Sequence, residues 1–146
     1  MFTIDASVYI NALNSTEPGS VESQAFLEQV HRQSIPVFSP TLLLVELAAA
    51  IARVFHDPQR GITYAQAVRQ LPGQVWLPLD DGLAEIALTL GARHRLRGAD
   101  AVYTAVAQQT GAILVTRDQE QLTRLPATVR AMTPAEALAR LGGEIP

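Results

Sequence analysis

The sequence predicts an α/β fold built on a parallel sheet, and two observations carry that prediction. Short apolar runs of strand length alternate with longer stretches of helical period, the order expected when crossover helices join parallel strands. Capping signals punctuate the chain between those runs.

Taken in order, Phe2 to Ile4 reads as a short first strand. Residues 20–33 follow a helical period, with Val21, Ala25, Phe26 and Val30 on the apolar face. Pro36 to Ser39 is a second strand. Ser39 then serves as N-cap and Pro40 as the first helical residue of a helix reaching about His56, where Pro58 stops it. Residues 57–61 read as a flexible hairpin between helices. Thr63 and Gln66 then form a capping box for a short helix that presents Tyr64, Ala67, Val68 and Leu71 on one side. Pro72 and Gly73 turn the chain into a third strand, Gln74 to Leu77. Asp80 and Asp81 cap a helix carrying Leu83, Ile86, Ala87 and Leu90, and another helix runs from about Ala99 to Gln109 with Gly111 as its cap. Ala112 to Val115 is the fourth strand and Thr128 to Arg130 a weak fifth. Thr133 and Glu136 form a second capping box, for a helix ending at Gly142 and Gly143. Trp76 and the three tyrosines are assigned to the core.

The 146 residues suit a single domain, 1–146, with a real core. Hydrophobic content is 48% and mean hydropathy +0.14. Even so, the longest apolar run, Leu42 to Ala52, is interrupted by Glu46 and is too short to span a bilayer. The first residues lack a basic n-region and an apolar h-region, so no secretory signal is expected. There is no cysteine, hence no disulfide framework and no thiolate metal site. A cytoplasmic protein without membrane contact is the expectation.

All 11 cationic residues are arginine, which weakens three rival α/β readings that normally require a lysine: phosphate-loop NTPases, receiver domains and haloacid-dehalogenase phosphatases. A net charge of -3 argues against a broadly basic nucleic-acid surface but leaves room for a local patch. Arg93, Arg95 and Arg97, around His94, form the one concentrated basic stretch. It is equally compatible with a solvated helix end.

Four carboxylates stand in apolar surroundings. Asp5 ends the first strand, Glu46 interrupts the apolar helix, Asp100 opens the run to Ala107, and Asp118 follows the fourth strand. Burying an unpaired carboxylate costs several kcal/mol or forces protonation. Convergence on a divalent cation with oxygen ligands removes that cost. Strand carboxyl ends in open α/β sheets are where sites form, and Asp5 and Asp118 lie there. Singly, Asp5 and Asp118 are also adequate helix caps and Asp100 is an i, i+3 partner for Arg97. Ser7 and Thr116 flank two of the acids and are candidates to orient them. His31, His56 and His94 share no ligand spacing, which disfavours zinc.

The ordered series Ile4-Asp5-Ala6-Ser7, Glu46 in an apolar helix, Ala99-Asp100-Ala101 and Thr116-Arg117-Asp118 resembles the PIN-domain nucleases, with VapC-type toxins of toxin–antitoxin pairs looking most similar. That resemblance spans nearly the whole chain. It implies a three-layer α/β/α fold with a five-stranded parallel sheet in the order 3-2-1-4-5. It further implies Mg²⁺- or Mn²⁺-dependent hydrolysis of RNA, a homodimer and a cognate antitoxin. By the same resemblance Asp5, Glu46, Asp100 and Asp118 are the metal-holding and catalytic set, with Ser7 and Thr116 behind them. Arg93, Arg95, Arg97 and Arg117 are the candidate RNA contacts, and Glu120 is a possible fifth carboxylate whose alternative is a place on the helix surface. A nuclease without an antitoxin, a non-cleaving interaction module and a phosphatase of small phosphoesters stay open as alternatives.

Overall fold

A computed structural model describes residues 1–142. Its elements in chain order are β1 (Phe2–Ile4), α1 (Ala6–Leu13), α2 (Ser20–Arg32), β2 (Val37–Pro40), α3 (Leu42–Phe55), α4 (Pro58–Arg69) and β3 (Gln74–Leu77). There follow α5 (Asp81–His94), α6 (Gly98–Thr110), β4 (Ile113–Val115), α7 (Gln119–Arg124), β5 (Ala131–Met132) and α8 (Pro134–Arg140). The five strands form one sheet ordered β3-β2-β1-β4-β5, and every pairing is parallel. This is the fold class and strand order expected. The order reverses between β1 and β4, so the carboxyl ends of those two strands frame the crevice where such sheets build sites.

Helices flank the sheet and bury two cores. Phe2 and Ile4 of β1 join the larger one, with Phe26, Val30, Leu43, Leu47, Ile51 and Tyr103. The smaller core lies between α5 and α6, from Leu83, Ala87 and Leu90 to Val102 and Val106, with Phe38 and Leu77 packed against it. Among the described residues no helix is long and apolar enough to cross a membrane.

Several expected boundaries shift. β2 includes Pro40, paired with Leu77, so Ser39 is a strand residue whose hydroxyl donates to Gln74 Oε1 (2.9 Å) rather than capping α3. Thr41 holds the N-cap position without a side-chain cap. Residues 57–61 are not a hairpin: Asp57 accepts from the Arg60 N–H (3.0 Å) and Pro58 is the first residue of α4. Thr63 is therefore inside α4, and its capping box does not form. Pro58 both ends one helix and starts the next, since a first-turn proline loses no hydrogen bond. His56, at φ 52°, makes the turn between them. β5 comes later than residues 128–130, at Ala131–Met132, with the Arg130 carbonyl accepting from Leu114 (2.9 Å). Val21 is 50% exposed, and Trp76 on the edge strand β3 is half-buried, whereas Tyr9 and Tyr103 belong to the core. The Thr133 capping box forms as expected. Gly142 takes a left-handed turn at φ 69°, and Gly143 lies outside the described residues.

Candidate metal centre

Each of the four acids is positioned by a different element. Asp5 leaves β1, its N–H bound to the Val115 carbonyl of β4 (2.9 Å), and its Oδ2 accepts from the Ser7 N–H (3.0 Å) as the N-cap of α1. Asp118 caps α7, its Oδ1 accepting from the Gln121 N–H (2.9 Å). Asp100 lies in the first turn of α6, and Glu46 points from α3. All four side chains line one cavity of about 580 Å³, together with Ser7, Val45, Ala49, Ala50, Arg53, Arg97 and Ala99. The convergence expected of these residues is therefore present.

Two carboxylates are held in an environment that disfavours their charge. Burial raises the Asp5 carboxyl above the ordinary range; hydrogen bonds from Ser7 oppose this, and the charges of Asp100 and Asp118 add to it. Burial likewise raises Glu46, against the hydrogen bond it accepts from the Tyr103 hydroxyl, with Asp5 and Asp100 adding repulsion and Arg97 opposing it. Tyr103 is itself raised, first by burial and then by the Glu46 charge, so it stays a donor.

Arg97 supplies the positive charge the cluster needs. Its Nε donates to Asp100 Oδ2 (2.9 Å), and its Nη2 donates to Asp118 Oδ2. The guanidinium is raised by Asp100 and then Asp118, yet its side chain is 64% exposed. Among the described residues no three acidic or histidine side chains form a ready-made ion site. The donor set is nevertheless one a hard divalent cation takes: carboxylate oxygens only, mutually repelling, and already drawing a cation between two of them. The residues fit such an ion once Arg97 vacates.

The flanking residues act at one remove. The Ser7 hydroxyl accepts from the Arg117 N–H (3.3 Å), and the fully buried Thr116 hydroxyl accepts from the Asp118 N–H (3.1 Å), which ties the β4 end to α1 and α7. The candidate RNA-contact arginines do not gather. Arg97 sits on the acids, while Arg117 reaches back to the Pro18 carbonyl (2.8 Å) and Glu17 (3.6 Å). Arg93 lines a separate cavity with Glu85, Gln108 and Thr128, and Arg95 is an exposed left-handed residue ending α5. Glu120 is exposed and pairs with Arg124, the surface place its alternative reading assigned it.

Three residues of this site escape a reading of the sequence. Tyr103 looks like a core aromatic and is one, but its hydroxyl is the partner of Glu46. Gln121, 1% exposed, donates its side-chain N–H to the Asp100 carbonyl (3.3 Å) while its backbone N–H holds Asp118. Arg53 lines the cavity from α3. It alone had a visible signal, since it lies seven residues from Glu46 on the same helical stripe.

The PIN domain family matches residues 2–127. Comparison with curated proteins gives no match. Among solved structures, a toxin–antitoxin complex from Klebsiella pneumoniae has a chain 21% identical, matched over 92% of this chain and 98% of that one, with a TM-score of 0.64. DNA-bound VapBC from Salmonella typhimurium is 15% identical, over 92% and 99% of the two chains, at a TM-score of 0.68. VapBC2 from Rickettsia felis, bound to a DNA fragment from its promoter, is 13% identical over 90% and 97%, at 0.65. At these identities the likeness is one of fold.

Proposed function

The chain belongs to the PIN-domain family, and from that premise we propose that it is a divalent-metal-dependent endoribonuclease, the toxin of a toxin–antitoxin pair. The observation that carries the reading is the set of four carboxylates, drawn from β1, α3, α6 and the β4–α7 turn, that lines a single cavity around one guanidinium. Helix capping and the Arg97 pair account for Asp5, Asp118 and Asp100 one by one, but not for their gathering with Glu46 around one cavity.

On this reading Asp5, Glu46, Asp100 and Asp118 hold Mg²⁺ or Mn²⁺. When bound, the ion supplies Lewis-acid chemistry, neutralising charge at the phosphate and acidifying water. The protein's own part is orientation. The Ser7 N–H holds Asp5, Tyr103 holds Glu46, and the Gln121 backbone holds Asp118. Arg97, displaced from Asp100 and Asp118, stays beside the cavity as a phosphate partner.

Cleavage of single-stranded or loop RNA that needs Mg²⁺ or Mn²⁺ and stops with chelator is the expected result. Metal-independent cleavage by homogeneous protein would sink the mechanism. Turnover of a chromogenic phosphomonoester without RNA cleavage would instead favour a small-molecule phosphatase.

Partners follow from two supports. The similar solved chains come from toxin–antitoxin complexes. This chain also exposes Val54 on α3 and Ile62 on α4, apolar side chains of the kind another chain covers. A homodimer is expected, together with toxicity when the protein is produced alone and rescue by the product of an adjacent upstream reading frame. A harmless monomer that retains RNase activity would favour a nuclease without an antitoxin.

A further inference from the structure

The face of α3 toward the acid cavity carries Val45, Glu46, Ala49, Ala50 and Arg53. Counted from Glu46, the last three stand at the third, fourth and seventh positions, which is one stripe of a helix. Arg53 is therefore about 10 Å along the axis from Glu46. Ala49 and Ala50 carry nothing beyond Cβ, so the floor between carboxylate and guanidinium is low, and the 65%-exposed Val45 offers an apolar edge beside it. Among the described residues Arg53 has neither an ion pair nor a side-chain hydrogen bond, unlike Arg97 and Arg117, which are committed to neighbours. Arg93, which is also exposed, faces another cavity.

A polyanion approaching four carboxylates is repelled unless cations flank the path. The geometry points to Arg53 as the residue that grips a phosphate of the RNA strand other than the one being cleaved, with α3 as the ledge on which the intervening nucleotide lies. This assignment rests on the nuclease reading above and adds to it the direction in which the strand leaves the acids. The grip is a charge-assisted hydrogen bond from guanidinium to phosphate oxygens.

The test is equilibrium binding of a short fluorescein-labelled oligouridylate, read by anisotropy across a salt series. The full-length Asp100→Asn protein serves as a background that binds without cutting. Adding Arg53→Gln is expected to weaken binding about tenfold. It should also flatten the slope of log affinity against log salt by about 0.7, the value for one phosphate contact on a single strand. Arg53→Lys should keep most of the slope, because the charge remains. Arg140→Gln, on a cavity at the amino ends of β1 and β4 away from the acids, should leave affinity and slope unchanged. Unchanged binding by Arg53→Gln, weakening with an unchanged slope, or an equal loss for Arg140→Gln would overturn the assignment and leave the nuclease reading intact. Absence of RNA binding by every variant would overturn both.

Discussion

Asp5 caps α1, Asp118 caps α7 and Asp100 pairs with Arg97, so each of these acids has a structural partner before any ion arrives. The single-residue explanations and the joint one therefore hold together, because a helix N-terminus and a cation attract the same oxygens. The cost falls on Asp5, whose carboxyl is raised chiefly by burial. An acid raised in the folded state contributes stability that is complete below its unfolded value and is lost as pH climbs through the folded one. In chelator, the melting temperature of the wild type should thus fall relative to Asp5→Asn as pH climbs above about 4, the ordinary carboxylate value. Parallel pH profiles for the two proteins would remove the burial argument. Asp5→Asn should also abolish cleavage with the fold retained. Arg97→Gln tests the internal counter-ion: stability without metal should drop by about 1 kcal/mol or less, since an exposed pair is screened. Mn²⁺ affinity by calorimetry should meanwhile rise several-fold. Weaker Mn²⁺ binding by this variant would show that Arg97 does not compete for the site.

At the scale of elements, what holds Glu46 in place is the packing of α3 on α4. Gly61 is the contact point: a Cβ there would stand 2.3 Å from the Ala48 carbonyl oxygen, backbone against backbone. Gly61→Ala should cost about 1–3 kcal/mol in chemical denaturation through overpacking, and it should lower activity by tilting α3. Gly98→Ala, with nothing within 4 Å of the added carbon, should be neutral or slightly stabilising. A Gly61→Ala protein as stable as the wild type would mean the helices slide apart freely. Element identity was legible wherever caps and periods agreed, as at Thr133 and Glu136. It failed around Thr63, where a plausible box lies five residues inside a helix already started by Asp57 and Pro58. Side-chain capping chemistry is local, but which of two candidate caps is used depends on how α3 and α4 meet.

For the whole molecule, ligand binding and stability are one equilibrium. On the proposed reading, the ion binds the folded protein and not the unfolded chain, so Mn²⁺ at a hundredfold excess over its Kd adds about 2.7 kcal/mol. For a chain of this size that is roughly a 5–10 °C rise in Tm. EDTA should reverse the rise, and Asp118→Asn should remove most of it. An equal rise in that variant would place the ion elsewhere. The fold class, the candidate acids and most elements were readable from the chain alone, because apolar period, caps and isolated charges are local properties of sequence. Tertiary structure decided the rest: that Tyr103 meets Glu46, that Gln121 reaches the Asp100 carbonyl, that Arg97 extends to Asp118, and that Arg117 turns away to Pro18. Those are contacts between residues distant in sequence. The crossing of helices over a sheet sets them, and no local pattern encodes that crossing.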